Sequence, residues 1–210
     1  MKYPKLQTVF KRESEKPFRI IEGKFALPEF EYLQNNQWVW TEKVDGTNIR
    51  IYWDCETVRV AGRTDNAQIP AFLYDRLQLI LPPSKFVEHY PETPMVLYGE
   101  GYGAKIQKGG GNYRSDGVDF VLFDIRIDEW WLERKGVDQI ADKLQLERVP
   151  IVGTGTLHEA IEMVKSGFDS EWGDFKAEGL VLRTTPILLC RNGERVMTKI
   201  KHKDFKEQPE

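Results

Sequence analysis

Residues 38–53 read Trp38-Val39-Trp40-Thr41-Glu42-Lys43-Val44-Asp45-Gly46-Thr47-Asn48-Ile49-Arg50-Ile51-Tyr52-Trp53. In 48–53, Ile49, Ile51 and Trp53 alternate with Asn48, Arg50 and Tyr52, the period-two pattern of a strand with one buried face. Trp38–Glu42 reads as the preceding strand, so Lys43-Val44-Asp45-Gly46-Thr47-Asn48 falls in a tight turn between the two. A lysine attacks only as the free amine. With a reference pKa of about 10.4 it is nearly all ammonium at neutral pH, unless a low-dielectric pocket, a metal ion or a second lysine depresses that value. Gly46 lets the backbone turn closely beside a ligand, and Asp45 and Asn48 offer polar groups beside the amine. The same residue types are ordinary in a surface turn, so context decides between the two readings.

Working outward, strands alternate with helices along most of the chain. Residues 57–61 and 95–99 read as strands, and 71–81 carries Phe72, Leu73, Leu77 and Ile80 near helical spacing before Pro82-Pro83 stop it. Residues 104–117, with four glycines and no periodicity, read as a mobile loop. Two strands are expected in 118–132, then amphipathic helices over 137–146 and 158–165, the second after a Thr156 cap. Residues 178–183, 187–190 and 195–201 read as strands, the last two joined by Asn192-Gly193 as a type I′ turn. The pattern is α+β, largely antiparallel, in one unit spanning residues 1–210.

Composition narrows the classes. At 210 residues, 40% hydrophobic and 12% aromatic, the chain can bury roughly 70% of its unfolded surface, which excludes disorder as the main state. No apolar run approaches the roughly 18 residues of a membrane span, and the first residues lack the apolar block of a secretory signal, so a soluble cytoplasmic protein is expected. Cys55 and Cys190, without a CxxC or Cys/His cluster, imply neither a disulfide framework nor a zinc site. His89, His158 and His202 have no ligand-like spacing. Thirty basic against 33 acidic side chains leave a formal charge of −3, so a polyanion must be met by a local cluster.

Four more segments supply context for the turn: Tyr98-Gly99-Glu100-Gly101 after a strand, Phe120-Val121-Leu122-Phe123-Asp124 inside one, Ala177-Glu178-Gly179-Leu180-Val181-Leu182 opening one, and Lys199-Ile200-Lys201 ending one. With Lys43–Asn48 they resemble motifs I, III, IIIa, IV and V of the covalent nucleotidyltransferases, the superfamily of polynucleotide ligases and mRNA-capping enzymes. Asn48, where DNA ligases and capping enzymes usually carry Arg, is similar to the RNA ligase family of phage nick-sealing and RNA-editing enzymes. The resemblance runs from Lys43 to Lys201, about three quarters of the chain. It implies an antiparallel-sheet nucleotidyltransferase domain, ATP-grasp-like, with flanking helices.

The resemblance also implies a chemistry: lysine attacks the α-phosphate of ATP, AMP passes to an RNA 5′-phosphate, and a 3′-hydroxyl displaces AMP. Lys43 is then the nucleophile. Lys199 and Lys201, two apart on a strand, point to one face and offset charge on the α-phosphate and pyrophosphate. Magnesium is expected, held by Glu178 and Glu100 partly through water. By resemblance Glu100 also reaches the ribose, Phe123 stacks on adenine, Glu42 lines the adenine edge, and Arg63 of Gly62-Arg63-Thr64 meets phosphates with its planar fork. Each residue has a plainer reading. Glu100 and Glu178 are otherwise solvated strand-end carboxylates, and Phe123 a core aromatic sharing a face with Val121. Lys199 and Lys201 are otherwise part of a solvated stripe with Lys203 and Lys206. The loop bearing Lys105, Lys108 and Arg114 either connects strands or closes over phosphates or RNA. The six tryptophans point to packing first, with Trp53, Trp130 and Trp131 kept as RNA platforms.

The few residues after Lys201 leave no room for an OB-fold or a helical C-terminal domain, so this chain is expected to be the adenylyltransferase domain alone. Its RNA partner would carry 5′-phosphate and 3′-hydroxyl ends. A pre-paired nick or a partner protein would supply the missing grip. Two other readings stay open: a capping-type guanylyltransferase using GTP, and a silent fold that only binds RNA ends or a nucleotide.

Overall fold

The computed structural model describes residues 2–206, which divide into two compact units. One comprises Asp45–Val149 with the N-terminal residues to Tyr3; the other comprises Pro4–Val44 with the chain from Pro150 onward. In chain order the elements are β1 (Gln7–Thr8), β2 (Phe10–Arg12), β3 (Ile20–Phe25), α1 (Pro28–Tyr32), β4 (Trp38–Glu42), β5 (Thr47–Trp53), β6 (Val58–Ala61), α2 (Ala71–Ile80), α3 (Pro83–His89) and β7 (Met95–Gly103). They continue as α4 (Gly110–Tyr113), β8 (Val118–Ile127), β9 (Trp130–Trp131), α5 (Arg134–Leu144), β10 (Ile151–Gly155), α6 (Leu157–Ser166), β11 (Gly179–Thr184) and β12 (Met197–Lys201). Both units are largely antiparallel sheets packed against helices, the α+β class expected.

The sheet of the Asp45–Val149 unit has the order β6-β5-β7-β8-β9. Ile49, Ile51 and Trp53 point to the face covered by α2, α3 and α5, where they pack with Leu73, Phe86 and Leu144. Each fully buried aliphatic side chain there contributes roughly 1.5–3 kcal/mol relative to exposure. Asn48, Arg50 and Tyr52 point to the opposite face, beside Glu100, Tyr98 and Val96 of β7. A register shift between Tyr98 and Gly99 leaves Phe123 as the extra residue of a bulge, since Gly99 pairs with Leu122 and Tyr98 with Asp124. Leu122 and Ile125, three apart, therefore both reach the core, which a regular strand forbids.

In the other unit the sheet order is β1-β12-β11-β4-β10, with β1 parallel to β12. Trp38, Trp40, Leu180, Leu182 and Ile200 face α6, whose buried stripe is Leu157, Ala160, Ile161 and Val164. The expected Thr156 cap is present as a full capping box with Glu159.

Several sequence expectations need correction. Pro82-Pro83 end α2, yet Pro83 also opens α3, because a proline at the first helical position lacks only an N–H that would have no partner. Residues 187–190 form no strand beyond a single pairing of Leu189 with Arg195, in a segment where Pro186 has no N–H for a ladder. Asn192-Gly193 is not a type I′ turn: of the two only Gly193 has a positive φ, 80°, and its N–H donates to Cys190 O at 2.9 Å. The glycine thus closes a three-residue loop. Residues 104–117 are folded back on themselves, with Ala104 N donating to both Arg114 O (3.0 Å) and Gly117 O (2.8 Å) and α4 inside the segment. None of the described helices is long and apolar enough to cross a membrane.

Candidate functional site

The chain enters the site along β4. Antiparallel pairing of β11 with both β4 and β12 sets Leu180 opposite Glu42 and Gly179 opposite Lys201. Past the end of β4, Lys43 N donates to Gly179 O at 2.9 Å, which brings Lys43, Glu178 and Lys201 to one corner of one sheet. Gly179 is required there. Its φ is +153°, and a Cβ would lie 1.9 Å from Ile200 O.

At this corner one carboxylate serves two amines. Glu178 Oε2 lies 2.5 Å from Lys43 Nζ and Oε1 lies 2.6 Å from Lys201 Nζ. The side chains are 14% (Glu178), 20% (Lys43) and 20% (Lys201) exposed, so the cluster is largely withdrawn from water yet open to a ligand. Burial is the largest influence on the Glu178 carboxyl and pushes its pKa up. The two ammonium groups, by charge and hydrogen bond together, outweigh it and leave the pKa below the ordinary 4.5. Lys199 lies two residues before Lys201 on the same face of β12, as its spacing predicts.

Glu42, next to the lysine, is buried. Its carboxylate accepts from Ser170 Oγ at 2.6 Å and from Glu171 N at 2.9 Å. Burial raises its pKa; the bonds from Ser170 and Glu171 oppose that only in part. The Glu42 and Glu178 carboxylates of this unit are thus tuned in opposite directions.

The Asp45–Val149 unit carries the other candidates. Asp45 N donates to Tyr113 Oη at 3.2 Å, and Gln107 Nε2 donates to Gly46 O at 3.1 Å, so the folded 104–117 segment fastens the turn. A Cβ on Gly46 would sit 2.3 Å from Gly101 O, which fixes that position as glycine. Asn48 stands opposite Glu100, and its Oδ1 is buried with no partner among the described residues, an acceptor left for a ligand donor. Phe123 is half-buried at its bulge, its ring 5.0 Å from that of Tyr3, and it belongs to neither core cluster. Tyr3 in turn donates to Asp124 at 2.8 Å.

Arg63 is exposed, while the arginine that organises its loop is Arg50, which sequence reading passed over. Arg50 is 1% exposed and donates to Gly62 O (2.7 Å), Tyr52 Oη (2.7 Å) and Asp65 Oδ1 (2.8 Å). Its place in an alternating strand opposite Ile49 and Ile51 was the available signal. Arg114 pairs with Asp116 and Asp119. Trp53 is a core residue, stacked on Phe86 at 5.2 Å with its N–H on Tyr90 O, so it is no RNA platform. Trp131 packs 5.1 Å from Tyr98, and Trp130 is 77% exposed. Ser170, Glu171 and Tyr113 also went unremarked in the sequence, since their partners lie far away along the chain.

Comparison with known proteins bears on the fold and the family. The chain is similar in fold to an RNA ligase of Naegleria gruberi, seen in several single-residue variants. One, with ATP and manganese, superposes with a TM-score of 0.69 at 20% identity over 97% of this chain and 59% of that one. Another, with AMP and manganese, gives 0.65 at 21% identity over 83% and 52%, and a ligand-free variant gives 0.68 at 19% over 97% and 58%. This chain therefore spans somewhat over half the length of those proteins. The model of the RNA ligase family matches residues 36–201, from just before β4 to the end of β12, and the chain belongs to that family.

Proposed function

We propose that the chain is an ATP-dependent RNA ligase that forms a covalent lysyl-AMP on Lys43, passes the AMP to an RNA 5′-phosphate and seals that end to a 3′-hydroxyl. The observation that carries this reading is the bridge of Glu178 between Lys43 and Lys201. In the first step the Lys43 nitrogen bonds to the α-phosphorus, the α–β phosphoanhydride bond breaks, and pyrophosphate leaves. Starting from the ammonium, the nitrogen gives up two protons, one on becoming the free amine and one as the phosphoramide forms, and keeps one; the released protons pass to water and to the departing pyrophosphate. Glu178, its pKa lowered, is suited to orienting that amine and holding a cation rather than to keeping the proton. Lys201, with Lys199 on the same face, places positive charge where the α-phosphate gains negative charge.

The donor set fits magnesium brought in by the nucleotide. Among the described residues no three His, Cys, Asp or Glu side chains gather as a ready metal cage. Magnesium commonly binds through one or two carboxylates, substrate phosphates and retained waters, and Glu178 is such a carboxylate. When bound, the ion neutralises charge on the phosphates and the departing pyrophosphate. Asn48, with its partnerless Oδ1, Glu100 and Phe123 are proposed to contact the nucleotide, with Asp45, Glu42 and Arg63 as the remaining contacts the family resemblance implies. The ligand-bound Naegleria structures, with ATP or AMP and manganese, support the same reading.

The test is incubation with magnesium and α-labelled ATP or GTP, followed by denaturation. Label from ATP alone is expected. Label from GTP would indicate a capping-type guanylyltransferase, and no label from either would leave a silent binding fold. For the later steps, nicked duplexes with RNA on the 3′-hydroxyl side should be sealed in preference to DNA.

A further inference from the structure

A cleft of about 670 Å³ opens beside the β1–β12 edge, wholly within the unit that holds Lys43. Its lining carries Lys5, Lys11, Arg12, Lys199, Lys201 and Lys203 against one carboxylate, Asp204. In a chain whose formal charge is −3, that is a local concentration of positive charge. Asp204 is engaged by Arg12 at 2.6 Å, so it offsets none of the lysines. Lys5, Lys11 and Lys203 are exposed and make no ion pair among the described residues.

The distribution of the cations decides what they fit. Residues 5–8 and 10–12 line the cleft through β1 and β2, with a bend at Val9 between them, while Lys199 and Lys201 sit two strand positions apart on one face of β12. A nucleotide triphosphate needs two or three cations at one place. Cations spread along two chain segments, three of them (Lys5, Lys11 and Lys203) without an ion pair among the described residues, suit a series of phosphates instead, the electrostatic groove that tracks a nucleic-acid backbone. Gln7 and Thr8 add polar side chains along the same wall. The geometry points to this cleft as the track of a single RNA strand, held by its phosphates and led to the Lys43–Glu178–Lys201 corner. The identity of the strand rests on the ligase reading; the groove itself rests on its charge and shape.

The experiment uses the full chain and a fluorescent, 5′-phosphorylated single-stranded RNA of about 12 nucleotides, with affinity read by anisotropy between about 50 and 200 mM salt. Replacing Lys5, Lys11 and Lys203 together by alanine should weaken binding on the order of tenfold and make the slope of log K against log salt shallower by about 2. Replacing the same three by arginine should retain both. The ATP concentration giving half-maximal covalent labelling is measured in parallel. Unchanged RNA affinity in the alanine variant would overturn the proposal. So would a rise in that ATP concentration with RNA binding intact, which would assign the cleft to the triphosphate tail. If the unaltered chain takes no label from ATP but its RNA binding still responds to these lysines, the ligase reading fails and the RNA groove stands.

Discussion

Glu178 holds Lys43 from across the sheet, its Oε2 2.5 Å from the lysine nitrogen although 135 residues separate them. The contact exists because β11 lies between β4 and β12, so the start of one strand meets the ends of two others. Removing the charge with Glu178→Gln leaves two amines without their shared anion. We expect labelling of Lys43 to fall at least about a hundredfold with the fold intact by circular dichroism. Labelling within a few fold of the unaltered chain would show that the bridge does not serve the chemistry.

The two carboxylates beside the lysine should titrate on opposite sides of 4.5. Glu42, raised chiefly by burial, should protonate above it; Glu178, lowered by its ammonium partners against burial, below it. A depressed pKa means that the stability from the Glu178 pairs is present above about pH 4.5 and is lost as pH falls through the folded value. For Glu42 the sign reverses: its contribution is present below its unfolded pKa and is lost as pH rises through the raised one. Carbon-13 titration of both side chains checks the order. Lys201→Ala should move the Glu178 midpoint upward, and an unmoved midpoint would contradict the assignment.

Gly46 and Gly179 are held by close backbone approach, with a Cβ 2.3 Å from Gly101 O and 1.9 Å from Ile200 O respectively. Alanine at either should cost about 3 kcal/mol in denaturant unfolding. Gly111, with nothing within 4 Å, is the control and should change stability by less than about 0.5 kcal/mol. Equal effects at all three positions would mean that the turn tolerates side chains.

Trp53 and Trp130 separate packing from surface. Trp53→Ala should lose about 3–5 kcal/mol, because it is 2% exposed and stacked on Phe86. Trp130→Ala, at 77% exposure, should leave stability unchanged within about 0.5 kcal/mol.

The sequence shows β4, β5, α2, α6 and β11 closely because each carries its own period of two or 3.6 and its own punctuation. Lys43, Glu178 and Lys201 were legible because their motifs stand at strand ends, and alternation along β12 put Lys199 and Lys201 on one face. The N-terminal strands were not. β1 has two residues and pairs with β12 across the whole chain, which no local pattern announces. The bulge that frees Phe123 from the core is likewise a property of pairing with β7, and Arg50 looked like an ordinary polar strand residue until its three partners were in place. The chain passes from one unit to the other between Val44 and Asp45, inside the motif that read as a simple turn.

The most direct measurement is the mass of the intact chain after incubation with ATP and magnesium, followed by peptide mapping. We predict an added AMP on the peptide containing Lys43, absent from Lys43→Ala and reversed by pyrophosphate. An adduct on another residue, or one that survives in Lys43→Ala, would contradict the account.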